Sequence, residues 1–177
     1  IIILFSKLLG QFREMLLAGY YGTGMEATAF VTASQMPLNF FDVVLGSAII
    51  SAFVPVFNEY YHNDGKDEAI KFANNFFGIV VTIAIFISVL GIVFSGWLVS
   101  VIASGLNAET ANLTSSLLKI MFPMIIFTAA AFTFTGVLQS FDEFNIPAAM
   151  SIVSNGVTIF YFIFFNKFFG IWGLAFS

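Results

Sequence analysis

Charge is what this sequence has least of. Only 9% of its 177 residues are charged, and six Lys+Arg against ten Asp+Glu leave a net charge of −4; an average soluble domain is about 25% charged. That is too little polar surface to solvate a globule of this size. The acidic balance also excludes a nucleic-acid partner, which needs a basic footprint. Cysteine is absent, which rules out disulfides, thiolate metal sites and a Cys nucleophile, and leaves the redox compartment unread. The sequence has no His/acid pair, no HExxH spacing, no GxSxG and no P-loop. An enzyme is therefore not expected, and no metal or cofactor is implied. The chain opens on Ile1-Ile2-Ile3-Leu4-Phe5 without a basic n-region or a small-residue cleavage site, so its start does not read as a signal peptide.

What is present is apolar. Hydrophobic residues make up 59% and aromatics 18%, with 25 Phe, and the mean hydropathy is +0.98. The expected fold is an all-α integral membrane bundle of about five transmembrane helices, since each span needs about 20 apolar residues. Charges and turn residues divide the chain into helical segments at about 1–21, 27–61, 72–102, 110–139 and 147–165, with a sixth starting near 170–177. Both ends read as cut, so the chain is taken as a fragment of a longer polytopic protein. Gly22-Thr23-Gly24 marks a turn, and Pro37 is expected to break or kink the second segment. His62 to Glu68 reads as a solvent loop turning at Asp64-Gly65. Ten-residue polar/apolar alternation, the mark of a β-barrel, is absent. With five spans, the loops after the second and fourth segments lie on the side of the N-terminus. Lys66 and Lys71 there, against Lys167 opposite, predict a cytoplasmic N-terminus by the positive-inside rule.

The informative residues are ionisable groups inside apolar segments, because a charge in hydrocarbon costs about 2.5–3.5 kcal/mol and usually faces a cavity or a partner. Lys7, Arg13 and Glu14 share one helix. Lys7 and Glu14 lie on one face two turns apart, and Arg13 points about 120° away from Lys7. Either the two cations recognise phosphate or carboxylate, with Arg supplying a bidentate fork, or Lys7 snorkels and Arg13 pairs with an acid on a neighbouring helix. Asp42 is a proton or cation site, the counter-ion of Arg13, or a wet position after Pro37. Lys119 lines a cavity or sits at a kink before Pro123. Asn155 with Thr158, and Asn74 with Asn75, read as hydrogen-bonding contacts between helices, and Phe160, Phe162, Phe164 and Phe165 as lipid contacts.

Several motifs resemble one family. Ser6-Lys7-Leu8-Leu9-Gly10-Gln11-Phe12-Arg13-Glu14 is similar to the first-helix signature of the MurJ (MviN) family, roughly S-[RK]-x-L-G-F-x-R-[ED]. Tyr21-Gly22-Thr23-Gly24, Ala29-Phe30, Ala52-Phe53-Val54-Pro55-Val56-Phe57-Asn58-Glu59-Tyr60, Leu118-Lys119-Ile120-Met121-Phe122-Pro123, Gly136-Val137-Leu138-Gln139-Ser140, Phe144-Asn145-Ile146-Pro147-Ala148 and Asn155 follow in the family's order.

The resemblance implies a lipid II flippase of the MOP superfamily in a bacterial cytoplasmic membrane. This chain would supply roughly the first five helices of the N-terminal lobe. Its partners would be lipid II, or a related polyprenyl-pyrophosphate glycan, and membrane lipids, with an ion or the membrane potential as possible coupling. Lys7 and Arg13 fall on the family's two basic first-helix positions and, with Lys119, become substrate-binding candidates. Glu14 and Asp42 become ion-coupling or counter-ion candidates. Where the family carries an acid before Ala29-Phe30 the chain has Thr28, and its paired arginines after the second-helix proline align with Phe41 and Asp42. Its usual Glu-Gly reads Gly46-Ser47 here. The rival expectations are another MOP-type exporter, coupled at Asp42 or Glu14, and a non-transporting scaffold for cell-wall enzymes acting through His62 to Glu68.

Overall fold

The stretch Lys66–Val93 shows how the apolar runs become structure. Gly65 adopts φ +91°, a left-handed turn open to glycine, and stops the preceding helix. Asp67 and Glu68 then fill the first turn of the new one, where carboxylates complement the free N–H groups. The resulting 28-residue helix is about 42 Å long. It is the one helix among the described residues that is by itself long and apolar enough to cross a bilayer. These observations come from a computed structural model, which describes residues 2–143 and 145–177. The side chains at 2, 3, 44, 45, 47–50, 147 and 148 lie outside that description.

The described chain is all-helical: α1 (Ile2–Tyr21), α2 (Met25–Phe41), a π-helical turn (Asp42–Gly46), α3 (Ser47–Asn63), α4 (Lys66–Val93), α5 (Ser95–Ile102), α6 (Ala108–Met121), α7 (Met124–Ser140), α8 (Asn145–Phe164) and α9 (Asn166–Leu174). The long segments expected from hydropathy are interrupted, and the interruptions have local causes. Pro37 does not break the second segment. It sits inside α2, as membrane helices allow when neighbours re-satisfy the freed carbonyl, and the ladder resets one turn later in the π-turn. The third segment begins at Lys66 and breaks at Phe94 before a Ser95-Gly96 pair, a pairing that commonly kinks helices. The fourth breaks at Phe122-Pro123. Proline disfavours helical backbone in the residue before it. The two halves of this segment, α6 and α7, are long and apolar enough to cross a bilayer only together, and they are bent by 46° at the break. His62, expected in a solvent loop, closes the last turn of α3.

The chain divides into two units, one of residues 2–36, 92–121 and 145–177 and the other of 37–91 and 122–143. In the first unit, α1 and α8 pack along a polar seam. The Ser6 hydroxyl donates to Ser151 Oγ at 2.7 Å and Tyr21 donates to Asn166 Oδ1 at 2.5 Å, and both pairs are separated by 145 residues. Between them, Asn155 sits beside Gly10 and Tyr20 stacks on Phe162 at 5.6 Å. Partners that advance together mean that α1 and α8 run parallel and in register. Two parallel helices in a membrane require an odd number of crossings between them. In the same unit Ser115 Oγ donates to Ser95 Oγ at 3.3 Å, joining α5 to α6.

The second unit is built on aromatic rings. Phe53 and Phe57 of α3 form the core with Ala69, packed by Phe72, Phe76 and Val137. Gly136 lets α7 approach so closely that a Cβ there would stand 2.9 Å from the Phe53 ring, and Phe57 meets Phe141 edge-on at 5.9 Å. These pairs also advance together, so α3 and α7 are parallel. Phe122, ejected at the Pro123 break, is 1% exposed and lies against Gly91 of α4, where a Cβ would fall 2.1 Å from the ring.

Gly91→Ala is therefore expected to destabilise the detergent-solubilised protein by about 1–3 kcal/mol, the usual cost of overpacking. Gly78→Ala on the same helix meets nothing within 4 Å and should be neutral or slightly stabilising. Thermal melts of the two variants make the comparison.

Candidate functional site

The ionisable groups of α1 occupy two adjoining faces. At 100° per residue, Ser6, Gly10, Arg13 and Leu17 share the α8-facing side, while Lys7 and Glu14 lie together on the next. Arg13 is just past the middle of α1, about 16 Å from its start. Helical spacing sets its Cα on the α8-facing side, and its guanidinium Nη2 lies 2.5 Å from Glu14 Oε1. Among the described residues, the acid paired with Arg13 is thus its chain neighbour. Adjacent residues do not ordinarily face each other on a helix, so only the long Arg stem makes this pair. Both side chains remain open, at 39% and 52% exposure. Glu14 in turn shares Lys7's face, and Lys7 is exposed. The Arg13 guanidinium thereby comes toward the face that Lys7 and Glu14 share by helical spacing, two turns apart.

The remaining candidates stand elsewhere. Lys119 is exposed in the last turn of α6, where a cation complements free carbonyls. Asp42 opens the π-turn and is exposed. A Cβ at Gly46 would stand 3.2 Å from Asp42 Oδ1, so glycine leaves room for that carboxylate. Neither Lys119 nor Asp42 has an ion pair among the described residues. π-turns inside helices often mark functional positions, and nothing in the residue pattern announced this one.

Two other expectations change. Phe162, read as a lipid contact with Phe160, Phe164 and Phe165, is 2% exposed and buried against Tyr20, while the other three are exposed. Asn74 and Asn75 are exposed and make no side-chain hydrogen bond to another helix among the described residues; they line an open groove on α4 with Gly78, Ile79, Thr82 and Ile83. Asn155 does join two helices, its amide donating to the Ser6 carbonyl at 3.4 Å. The Ser6–Ser151 hydrogen bond was missed by sequence reasoning, although the Ser-x3-Gly spacing of Ser6 and Gly10 is the small-residue pattern that brings membrane helices together.

Comparison with known proteins bears on the chain's family; the match to the family model begins after Lys7, Arg13 and Glu14. The family model described as "Lipid II flippase MurJ" matches residues 17–177. The chain belongs to the MurJ family. A probable lipid II flippase MurJ of Buchnera aphidicola subsp. Schizaphis graminum is 30% identical over 171 residues, covering 96% of this chain and 33% of the relative. One from Rhizobium tropici is 33% identical, over 91% of this chain and 31% of the relative. The lipid II flippase MurJ of Burkholderia cenocepacia is 29% identical over 86% and 30%. The chain spans about a third of the length of these curated relatives. MurJ proteins are membrane transporters rather than catalysts, and membership places this all-helical, apolar chain in the bacterial inner membrane.

If the Lys7–Glu14 face is wet, cysteines placed at Lys7 and Glu14 should react with a hydrophilic maleimide in membranes several-fold faster than one at Leu8. Leu8 is 67% exposed but points about 100° away from Lys7. Equal labelling at all three would mean that the whole surface meets the same medium.

Proposed function

We propose that this chain is part of the N-terminal lobe of a lipid II flippase that carries an undecaprenyl-pyrophosphate-linked precursor outward across the bacterial cytoplasmic membrane by alternating access. The observation that carries the reading is the MurJ family match over most of the chain, joined to a first helix with two cations embedded in apolar sequence. A pyrophosphate needs cations in a low-dielectric hollow, while its polyprenyl tail can stay in lipid. Lys7 and Arg13 are the proposed grip. Arg13 offers the bidentate fork, and Glu14 holds that guanidinium until an anion competes for it. Lys119 is a weaker third member.

Topology supports this arrangement. The parallel pairs α1/α8 and α3/α7 each need an odd number of crossings between them, and a five-span path supplies three and one. On such a path the N-terminus shares a side with Lys66 and Lys71, and the positive-inside rule makes that side cytoplasmic. One observation favours a second reading, ion coupling at Asp42: its carboxylate is exposed at a π-turn and has no cation beside it. Transport that persists with Asp42→Asn and without ion gradients would dismiss it.

The test is complementation of a strain depleted of its own flippase by the full-length protein. Arg13→Ala should lower viability roughly ten- to a hundredfold, the scale of a lost charge-assisted contact of about 1.5–3 kcal/mol, while the protein still reaches the membrane. Normal growth with Lys7→Ala and Arg13→Ala combined would remove the mechanism.

A further inference from the structure

We infer that Asn155, with Ser151, is the positioning residue for the cations of α1: α8 sets the direction in which Arg13 and Lys7 present their charges. This rests on the reading that those cations grip the substrate. Asn155 is 8% exposed, a polar side chain enclosed by a seam of helices where hydrocarbon would serve packing equally well. Its amide donates to the Ser6 carbonyl at 3.4 Å, in the residue immediately before Lys7. Its other contact is with Gly10, whose missing side chain leaves the amide atoms 3.7 and 3.9 Å from where a Cβ would be. Gly10 lies one turn before Arg13. Asn155 therefore meets α1 on either side of Lys7 and one turn before Arg13.

The seam is pinned on both sides of this contact, by Ser6–Ser151 and by Tyr21–Asn166, with the same 145-residue offset. A slip of one residue would turn α1 by 100°. That rotation would send Arg13 out of the seam and carry the Lys7–Glu14 face away from wherever it points. Apolar packing alone fixes such a register weakly, because lipid tails compete equally for apolar surface. This contact resists a slip, since the slip breaks the Asn155–Ser6 hydrogen bond and brings a side chain to the place where Gly10 leaves room for the amide.

Because the chain has no cysteine, the register is directly readable. Ser6→Cys with Ser151→Cys replaces two hydroxyls 2.7 Å apart, within disulfide reach, in the full-length protein freed of any other cysteine. In membranes treated with a mild oxidant this pair should cross-link efficiently. Adding Asn155→Leu, similar in volume but without the amide, should cut the cross-linking rate by about threefold or more, the scale of one interhelical hydrogen bond. In the chain with Ser6 and Ser151 intact, Asn155→Leu should impair complementation, and Asn155→Gln, which keeps the amide, should restore most of it. If Asn155→Leu does not accumulate in the membrane, Asn155→Ser, polar but too short to reach the Ser6 carbonyl, gives the same two readings. Growth lost with cross-linking unchanged would overturn the proposal, as would cross-linking lost with growth intact. Normal growth of the Lys7→Ala and Arg13→Ala variants is a separate result: it refutes the substrate grip and leaves the cross-linking comparison standing as a fact about the seam.

Discussion

The register between α1 and α8 is the constraint on which the rest of the first unit depends. A membrane helix has no hydrophobic reason to prefer one neighbour over lipid, so its rotation must be fixed by small residues that allow close approach and by polar groups that need specific partners. Here Gly10 provides the approach and Ser6, Ser151, Asn155, Tyr21 and Asn166 provide the partners. The second unit solves the same problem with rings. Phe53 fills the notch at Gly136 and Phe122 the notch at Gly91. Proline contributes indirectly, because the break at Pro123 frees Phe122 to leave its helix and fill that gap.

Fixing the rotation of α1 has an electrostatic consequence. Arg13 begins on the face that α8 covers, so its guanidinium must come round to Glu14, and Glu14 lies on the face of Lys7. Two cations and one carboxylate on adjoining faces of α1 sum to a net positive charge, and the Arg13–Glu14 pair is open, at 39% and 52% exposure.

Much of the architecture was legible in the residues. The scarcity of charge gave the membrane, and Gly22 and Asp64-Gly65 gave turns; Asn155 was recognisable as an inter-helix contact because a lone amide in an apolar run needs a partner. The helix interruptions were not legible in detail. Pro37 looked like a break or a kink and lies inside a helix, whereas Asp42–Gly46 carries no mark of a π-turn, since such a turn depends on what its neighbours leave room for. Phe162 was misplaced for a related reason: in a membrane chain the buried and the lipid-facing sides are equally apolar, and only contact with Tyr20 tells them apart. At the candidate site, spacing gave the Lys7–Glu14 face. The turn of Arg13 toward Glu14 was hidden, because spacing fixes where a stem starts and not where a long side chain ends.

The central claim is that the cations of α1 hold a pyrophosphate. Its most direct measurement is the binding of undecaprenyl pyrophosphate, undecaprenyl phosphate and undecaprenol to purified full-length protein by native mass spectrometry, with and without Lys7→Ala and Arg13→Ala. The account predicts that the intact protein prefers the pyrophosphate and that the double variant loses that preference by about tenfold or more, one charge-assisted contact of about 1.4 kcal/mol being the least that would do it. The three lipids binding alike to both proteins would contradict it.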